Sequence, residues 1–204
     1  MAPQLIILRH GNTFDKGDTI RRVGARTDLP LSTSGRMQAE AVGKFMASEF
    51  GAVELILSSP LLRAHETAEF VAAAYAPSPT IEITATLTEI DHGPDEGQPE
   101  PDVIARISAQ ALKAWEHDAT PPPDWIVDPT ALISGWREIF QNAYERGGQS
   151  VAVTSNGVAR FALHAADAID GEFPQKLRTG AFGLVSFGQD GQARVTAWDI
   201  RPPR

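Results

Sequence analysis

The chain of 204 residues contains no cysteine, so disulfide bridges and thiolate chemistry are excluded. Histidine is scarce, with five in all. None is spaced as His-x-x-x-His, so a metal centre would need carboxylates from the acidic 89–96 stretch, and no metal is expected. No apolar run reaches the roughly 18 residues of a membrane span. The N-terminus lacks a basic stretch followed by a long apolar one, so a cytoplasmic protein away from membranes is expected. Basic residues are in the minority, 18 Lys+Arg against 26 Asp+Glu for a formal net charge of -8. That balance argues against nucleic acid as a partner, but not against a small anion, which answers to local charge. A Gly-x-Ser-x-Gly elbow, a P-loop and a dinucleotide fingerprint are missing too.

What is present suits a globular enzyme. A hydrophobic share of 42% with 22% charged residues supplies a sizeable core, and the length fits one domain over residues 1–204. The run Leu5-Ile6-Ile7-Leu8 has no polar alternation, which predicts a strand buried on both faces. It ends in Arg9-His10-Gly11, at the strand end where open α/β sheets bind ligands. A polar loop with Lys16, Arg21, Arg22 and Arg26 follows to Pro30. Ser32 then caps a predicted helix whose apolar positions are Met37, Ala41, Phe45 and Met46, closed by Gly51.

Val53 to Leu57 reads as a second buried strand, and Ser59-Pro60 as the cap and first residue of a helix with Leu62, Ala68, Val71 and Tyr75 on its apolar face. Arg63 falls in the first turn of that helix, where the macrodipole favours anions, so a bound anion would explain it. A strand is expected over 81–87, then an acidic loop over 88–97, one helix from Val103 to Trp115, and a helix opened by Asp128-Pro129. Ser150 to Thr154 is a third buried strand, ending in Ser155-Asn156-Gly157 before a helix over about 158–168. Residues 181–187 and 193–200 form a hairpin through Asp190-Gly191. The expected fold is a three-layer α/β/α sandwich, its mainly parallel sheet carrying an antiparallel C-terminal hairpin. Arg9-His10, the 58–63 turn, Glu89 and Ser155-Asn156 then gather at equivalent strand ends.

A histidine flanked by arginines with a carboxyl group nearby suits phosphoryl transfer. Arginines orient and neutralise the phosphoryl group, a neutral imidazole attacks phosphorus, and the carboxyl protonates the leaving alcohol. At this point the blocks Leu8-Arg9-His10-Gly11-Asn12-Thr13, Asp28-Leu29-Pro30-Leu31-Ser32 with Gly35 and Gln38-Ala39, Ser58-Ser59-Pro60-Leu61-Leu62-Arg63-Ala64 with Glu66-Thr67-Ala68, and Leu87 with Glu89, Asp91, Gly93, Glu96 and Gly97 resemble the histidine phosphatase superfamily, in its phosphoglycerate mutase-like branch. They occur in the family's order between Leu5 and Gly157.

The resemblance implies a phosphomonoester hydrolase with His10 as phosphorylated nucleophile. Arg9 and Arg63 would clamp the phosphoryl oxygens, and Glu89 would serve as acid and then as base. Thr13, the Asn12 backbone and Gly157 would help hold phosphate, and Lys16, Arg21 or Arg22 would meet the rest of a small phosphorylated substrate. It implies no metal or organic cofactor, and it leaves the oligomeric state open, a homodimer included. A mutase of the same branch is the alternative activity; its members tend to be longer.

One departure stands out. The family's second pocket histidine, in a Ser-His-Gly triplet, is here Asn156. Losing that charge-assisted donor to the transition state would cost about 2–4 kcal/mol, or about 10²–10³ in rate. Asn156 therefore predicts either an impaired, phosphate-binding relative, a pocket with a different hydrogen-bond pattern, or a cation supplied elsewhere. His92 is the nearest candidate along the sequence for that cation. Lys16 is a second departure, standing about where many family members carry asparagine.

Overall fold

Leu5, Ile6, Ile7 and Leu8 are all completely buried, as an apolar run covered on both faces requires. The computed structural model describes residues 2–203. The strand containing this run, β1 (Gln4–Arg9), lies in a sheet with β2 (Val53–Ser58), β3 (Thr80–Ile83), β4 (Gln149–Thr154), β5 (Ala168–Ile169), β6 (Phe182–Phe187) and β7 (Ala193–Ile200). Their order across the sheet is β3-β2-β4-β1-β6-β7-β5. The first four strands in that order are parallel, β6 is antiparallel to both β1 and β7, and β5 is parallel to β7.

Alternation along β1 divides the core. Ile6 and Leu8 face α1 (Thr33–Glu49) and α2 (Leu62–Ala72) in one apolar cluster with Val42, Met46, Ala68 and Val71. Leu5 and Ile7 face the opposite layer, which contains α3 (Glu100–Ile107), α4 (Ala109–Asp118), α5 (Pro129–Arg146) and α6 (Asn156–Ala165). The result is a three-layer α/β/α arrangement with β1, β2 and β4 at its centre, their carboxyl ends on one side.

Several local expectations change. The buried face of α1 is Gly35, Ala39, Val42, Gly43 and Met46, whereas Met37 is 67% exposed. Small residues on that face let α1 pack closely on α2, so the bulkier Met37 is left to solvent. The helix ends at Glu49, before Gly51, with Phe50 as its C-terminal cap. α2 begins at Leu62 because Ser59 Oγ accepts from the Leu61 N–H, and Leu61, the residue after Pro60, stays extended; Leu62 is exposed and Tyr75 lies past the helix.

The predicted 81–87 strand stops at Ile83 on the sheet edge and turns through a 3-10 segment, Ala85–Leu87, capped by Thr84. The single helix expected over 103–115 is broken at Ser108, whose φ of 74° stops α3 while its hydroxyl accepts from Ala111 N to start α4. Finally, α6 starts at Asn156 and ends at Ala165, which places Asn156 in its first turn.

Candidate active site

Three parallel strands end side by side, and each delivers part of one cavity of about 480 Å³. The wall includes Arg9 at the end of β1 and His10 after it, Arg63 from α2 after β2, and Asn156, Gly157 and Arg160 from α6 after β4. Glu89 comes from the loop beyond β3.

His10 is buried, and both its ring nitrogens are engaged. Nδ1 lies 2.7 Å from the Gly11 carbonyl, while Arg63 Nε donates to Nε2 at 3.2 Å. A carbonyl accepts only from an N–H, and a guanidinium only donates. The proton is therefore on Nδ1, and Nε2 carries a lone pair. Burial, and after it Arg63 and Arg9, hold the His10 pKa well below its ordinary value. The ring therefore stays neutral in mildly acidic solution.

This has a consequence for stability with a definite sign. Below the unfolded value of about 6.5 the unfolded chain takes up a proton that folded His10 refuses, so stability falls with pH until the lowered folded value is passed. Urea midpoints measured from about pH 7 to about pH 5 should fall less steeply for His10→Asn than for the wild type. Equal slopes would remove this contribution.

Arg63 is 1% exposed, and its terminal nitrogens donate to the carbonyls of Thr27 at 3.0 Å and Gly24 at 3.2 Å. The start of its helix also holds an internal carboxylate, for Asp28 Oδ1 accepts from Leu62 N–H at 2.7 Å. Arg9 donates through Nη1 to Leu177 O at 2.8 Å, and its Nε is buried without a partner. Burial, opposed by Glu89, pushes the Arg9 pKa down to about 10, so it remains a cation.

Glu89 is 8% exposed and accepts from two backbone donors, Ile90 N at 2.9 Å and Gly157 N at 3.2 Å. Gly157 is what permits this approach, since a Cβ there would sit 2.3 Å from Glu89 Oε1. Gly157→Ala must therefore displace the carboxyl. A fall in turnover of about 10–10² with little change in melting temperature is expected, read by phosphate release and thermal unfolding. Unchanged turnover would show that this placement of Glu89 is not needed.

Asn156 Oδ1 accepts from Leu177 N at 2.8 Å, which fixes the amide orientation and leaves Nδ2 as its donor to the cavity. The Leu177 peptide is thus gripped from both ends, by Arg9 and by Asn156. Gly11 serves packing rather than ligand approach, because a Cβ there would meet Gly35 O at 2.3 Å.

The remaining predicted residues separate. Thr13, Arg21 and Arg22 line the cavity with Asn12. The Asn12 backbone N–H is not available to phosphate, since it already donates to Gln38 Oε1 at 2.9 Å. Arg21 donates to Gly97 O, and Arg22 forms an ion pair with Glu100. Lys16 is exposed and is not part of the cavity wall, because its loop turns outward through Gly17. His92 does reach the wall, but its Nδ1 lies 3.8 Å from Glu96 and its ring packs edge-on against Trp125. Any charge it gained would be answered by Glu96. Glu96 itself holds the 24–27 loop, accepting from Gly24 N and Thr27 Oγ1.

Arg160 was missed. It lies four residues after Asn156 in the same helix, and that spacing places both on one face. The electrostatic oddity that marked Arg63, a cation close to a helix N-terminus, applied to Arg160 as well.

Comparisons with known proteins agree with this architecture. The chain matches the family model of the histidine phosphatase superfamily (branch 1) over residues 5–200. It is 27% identical over 157 residues to an uncharacterised phosphatase, PhoE, of Bacillus subtilis, covering 77% of this chain and 73% of that one. It is also 27% identical over 213 residues to a 2,3-bisphosphoglycerate-dependent phosphoglycerate mutase of Gloeobacter violaceus, covering 98% and 94%. Its fold is similar to that of a mycobacterial glucosyl-3-phosphoglycerate phosphatase, with a TM-score of 0.78 at 21% identity over 98% of this chain and 100% of that one. An α-ribazole phosphatase from Shigella flexneri gives 0.72 at 19% identity, covering 98% of each. The cavity at the ends of β1, β2 and β4 is thus the pocket of a chain that belongs to the histidine phosphatase superfamily, branch 1.

Proposed function

We propose that residues 1–204 form one catalytic domain that hydrolyses phosphate monoesters of small metabolites through a phosphohistidine on His10. The observation that carries this reading is the bonding of the imidazole: its Nε2 lone pair is kept unprotonated by Arg63 Nε, inside a cavity that Arg9, Arg160 and Glu89 also line.

In the first half-reaction Nε2 attacks phosphorus, the P–O ester bond breaks, and the Glu89 carboxyl gives its proton to the departing alkoxide. Arg63 Nε loses its acceptor as the N–P bond forms and turns to a phosphoryl oxygen, where Arg9 Nε adds a second donor. In the second half-reaction water attacks phosphorus and Glu89 takes its proton. The N–P bond breaks, phosphate leaves, and neutral His10 is restored. The lowered pKa of His10 supports an acid-phosphatase type of activity, because the nucleophile stays neutral on the acid side.

The outer wall favours hydrolysis over mutase chemistry. A phosphoglycerate carries anionic groups beyond the transferred phosphoryl, yet Arg22 is already paired with Glu100, and Lys176 with Glu116 at 3.1 Å. With Ile20, Leu112 and Trp115 also on the wall, these pairs suit an uncharged alcohol.

Rapid mixing with a labelled monoester, quenched in alkali, should retain label on the protein. An acid quench should lose it, as a phosphoramidate requires. Release of phosphate without any alkali-stable label would exclude the phosphohistidine route.

A further inference from the structure

Arg160 is 0% exposed and lines the same cavity as His10, Glu89 and Asn156. Its guanidinium lies 4.1 Å above the Trp115 ring. Nε donates to Asn156 O at 3.3 Å and Nη1 to Trp115 O. Among the described residues no acceptor is found for Nη2, and no carboxylate lies within ion-pair distance of the side chain. Burial pushes its pKa down to about 10, opposed by Glu89 and Glu116 and reinforced by Arg9 and Arg22, so it is a cation at neutral pH with Glu89 and Arg9 as the charges that act on it most. A buried cation with no carboxylate in direct contact is costly unless an anion is bound beside it.

A purely structural role accounts for part of this geometry, since the Trp115 bond ties α4 to α6. It does not account for a charge. A neutral donor would reach the same carbonyl without the desolvation penalty.

We infer that Arg160 supplies, through Nη2, the positive charge at the transferred phosphoryl group that Asn156 lacks. The two residues share one face of α6, so the cation has moved one helical turn along the same helix, and Asn156 Nδ2 remains as a neutral donor. The substitution at Asn156 then relocates a charge instead of deleting it. The role rests on the phosphatase reading above for the reaction it serves, but the binding it implies is measurable without turnover.

The test measures orthovanadate affinity by calorimetry, together with kcat on a monoester and the melting temperature. The proteins are the wild type, Asn156→His, Arg160→Met and the double variant Arg160→Met/Asn156→His. Arg160→Met is expected to weaken vanadate binding by about 10–10² and to lower kcat by about 10²–10³. The double variant should recover most of both losses, and Asn156→His should raise both quantities at least about tenfold more in the Arg160→Met background than in the wild type, where the charge is already supplied. Should the methionine variant fail to fold, Arg160→Gln replaces it, keeping a donor for the Trp115 carbonyl and removing only the charge.

Unchanged vanadate affinity without Arg160 would overturn the assignment. So would a loss that Asn156→His does not recover, which is the mark of a structural role. A wild type that forms no phosphohistidine, yet shows the same loss and recovery of vanadate binding, would overturn the hydrolase reading and uphold Arg160 as the anion-binding cation.

Discussion

His10→Ala is expected to slow phosphate release by about 10⁴-fold or more and to abolish the alkali-stable label. The size of the effect follows from the chemistry. Without Nε2 no N–P bond forms, and water must attack the ester directly in a site arranged for a nucleophile fixed at the end of β1. What remains is the rate supplied by the arginines and by binding. Phosphate or vanadate affinity should survive, because Arg9 and Arg63 keep their anchors on Leu177 O and on the Gly24 and Thr27 carbonyls. A further check separates nucleophile from scaffold. Added imidazole enters the space left by the ring and should restore part of the turnover, which it would not do if His10 only held the loop. Label on another residue, or turnover within tenfold of wild type, would defeat the proposal.

Glu89→Gln carries the second largest effect, and its signature is dependence on the leaving group. Glutamine keeps the shape, and its carbonyl oxygen still accepts one of the two backbone donors now held by Glu89, but it has no proton to give. Esters of alkyl alcohols, whose alkoxides leave poorly, should be hydrolysed about 10²–10⁴-fold more slowly. Esters of acidic phenols, which leave without help, should lose less than about tenfold in the phosphorylation step. An equal loss for both classes would assign Glu89 to binding or positioning and not to proton transfer.

Both predictions concern residues that stood out before any fold was known, and the reason is local. β1 is covered on both faces, so its four apolar residues leave no ambiguity, and the first polar residues after them must lie at the ligand-binding end of the sheet. Arg63 was conspicuous because its charge opposes the helix dipole. In the fold a carboxylate, Asp28 from a loop 34 residues before Leu62, already occupies that helix start, and a bound anion at Arg63 belongs to the proposal above. The Met37 and Ser108 positions failed for a related reason. Helical periodicity cannot distinguish a face of small residues chosen for close packing from the bulkier face beside it, and it cannot show a backbone that leaves the helix for one residue at φ 74°.

The sequence by itself determined most of the alternation of strands and helices, the strand ends that form the pocket, and His10, Arg9, Arg63 and Glu89 as residues that meet there. These depend on apolar patterning and on local charge, which are written along the chain. Only the tertiary structure decided which donors remain free once the protein has satisfied its own hydrogen bonds. It closed the Asn12 amide with Gln38, turned Lys16 to solvent, paired Arg22 and Lys176 with carboxylates, and brought Arg160 over the Trp115 ring, one helical turn from Asn156. Such outcomes hinge on contacts between distant segments, where a shift of an ångström makes or breaks a bond, and no spacing along the chain encodes them.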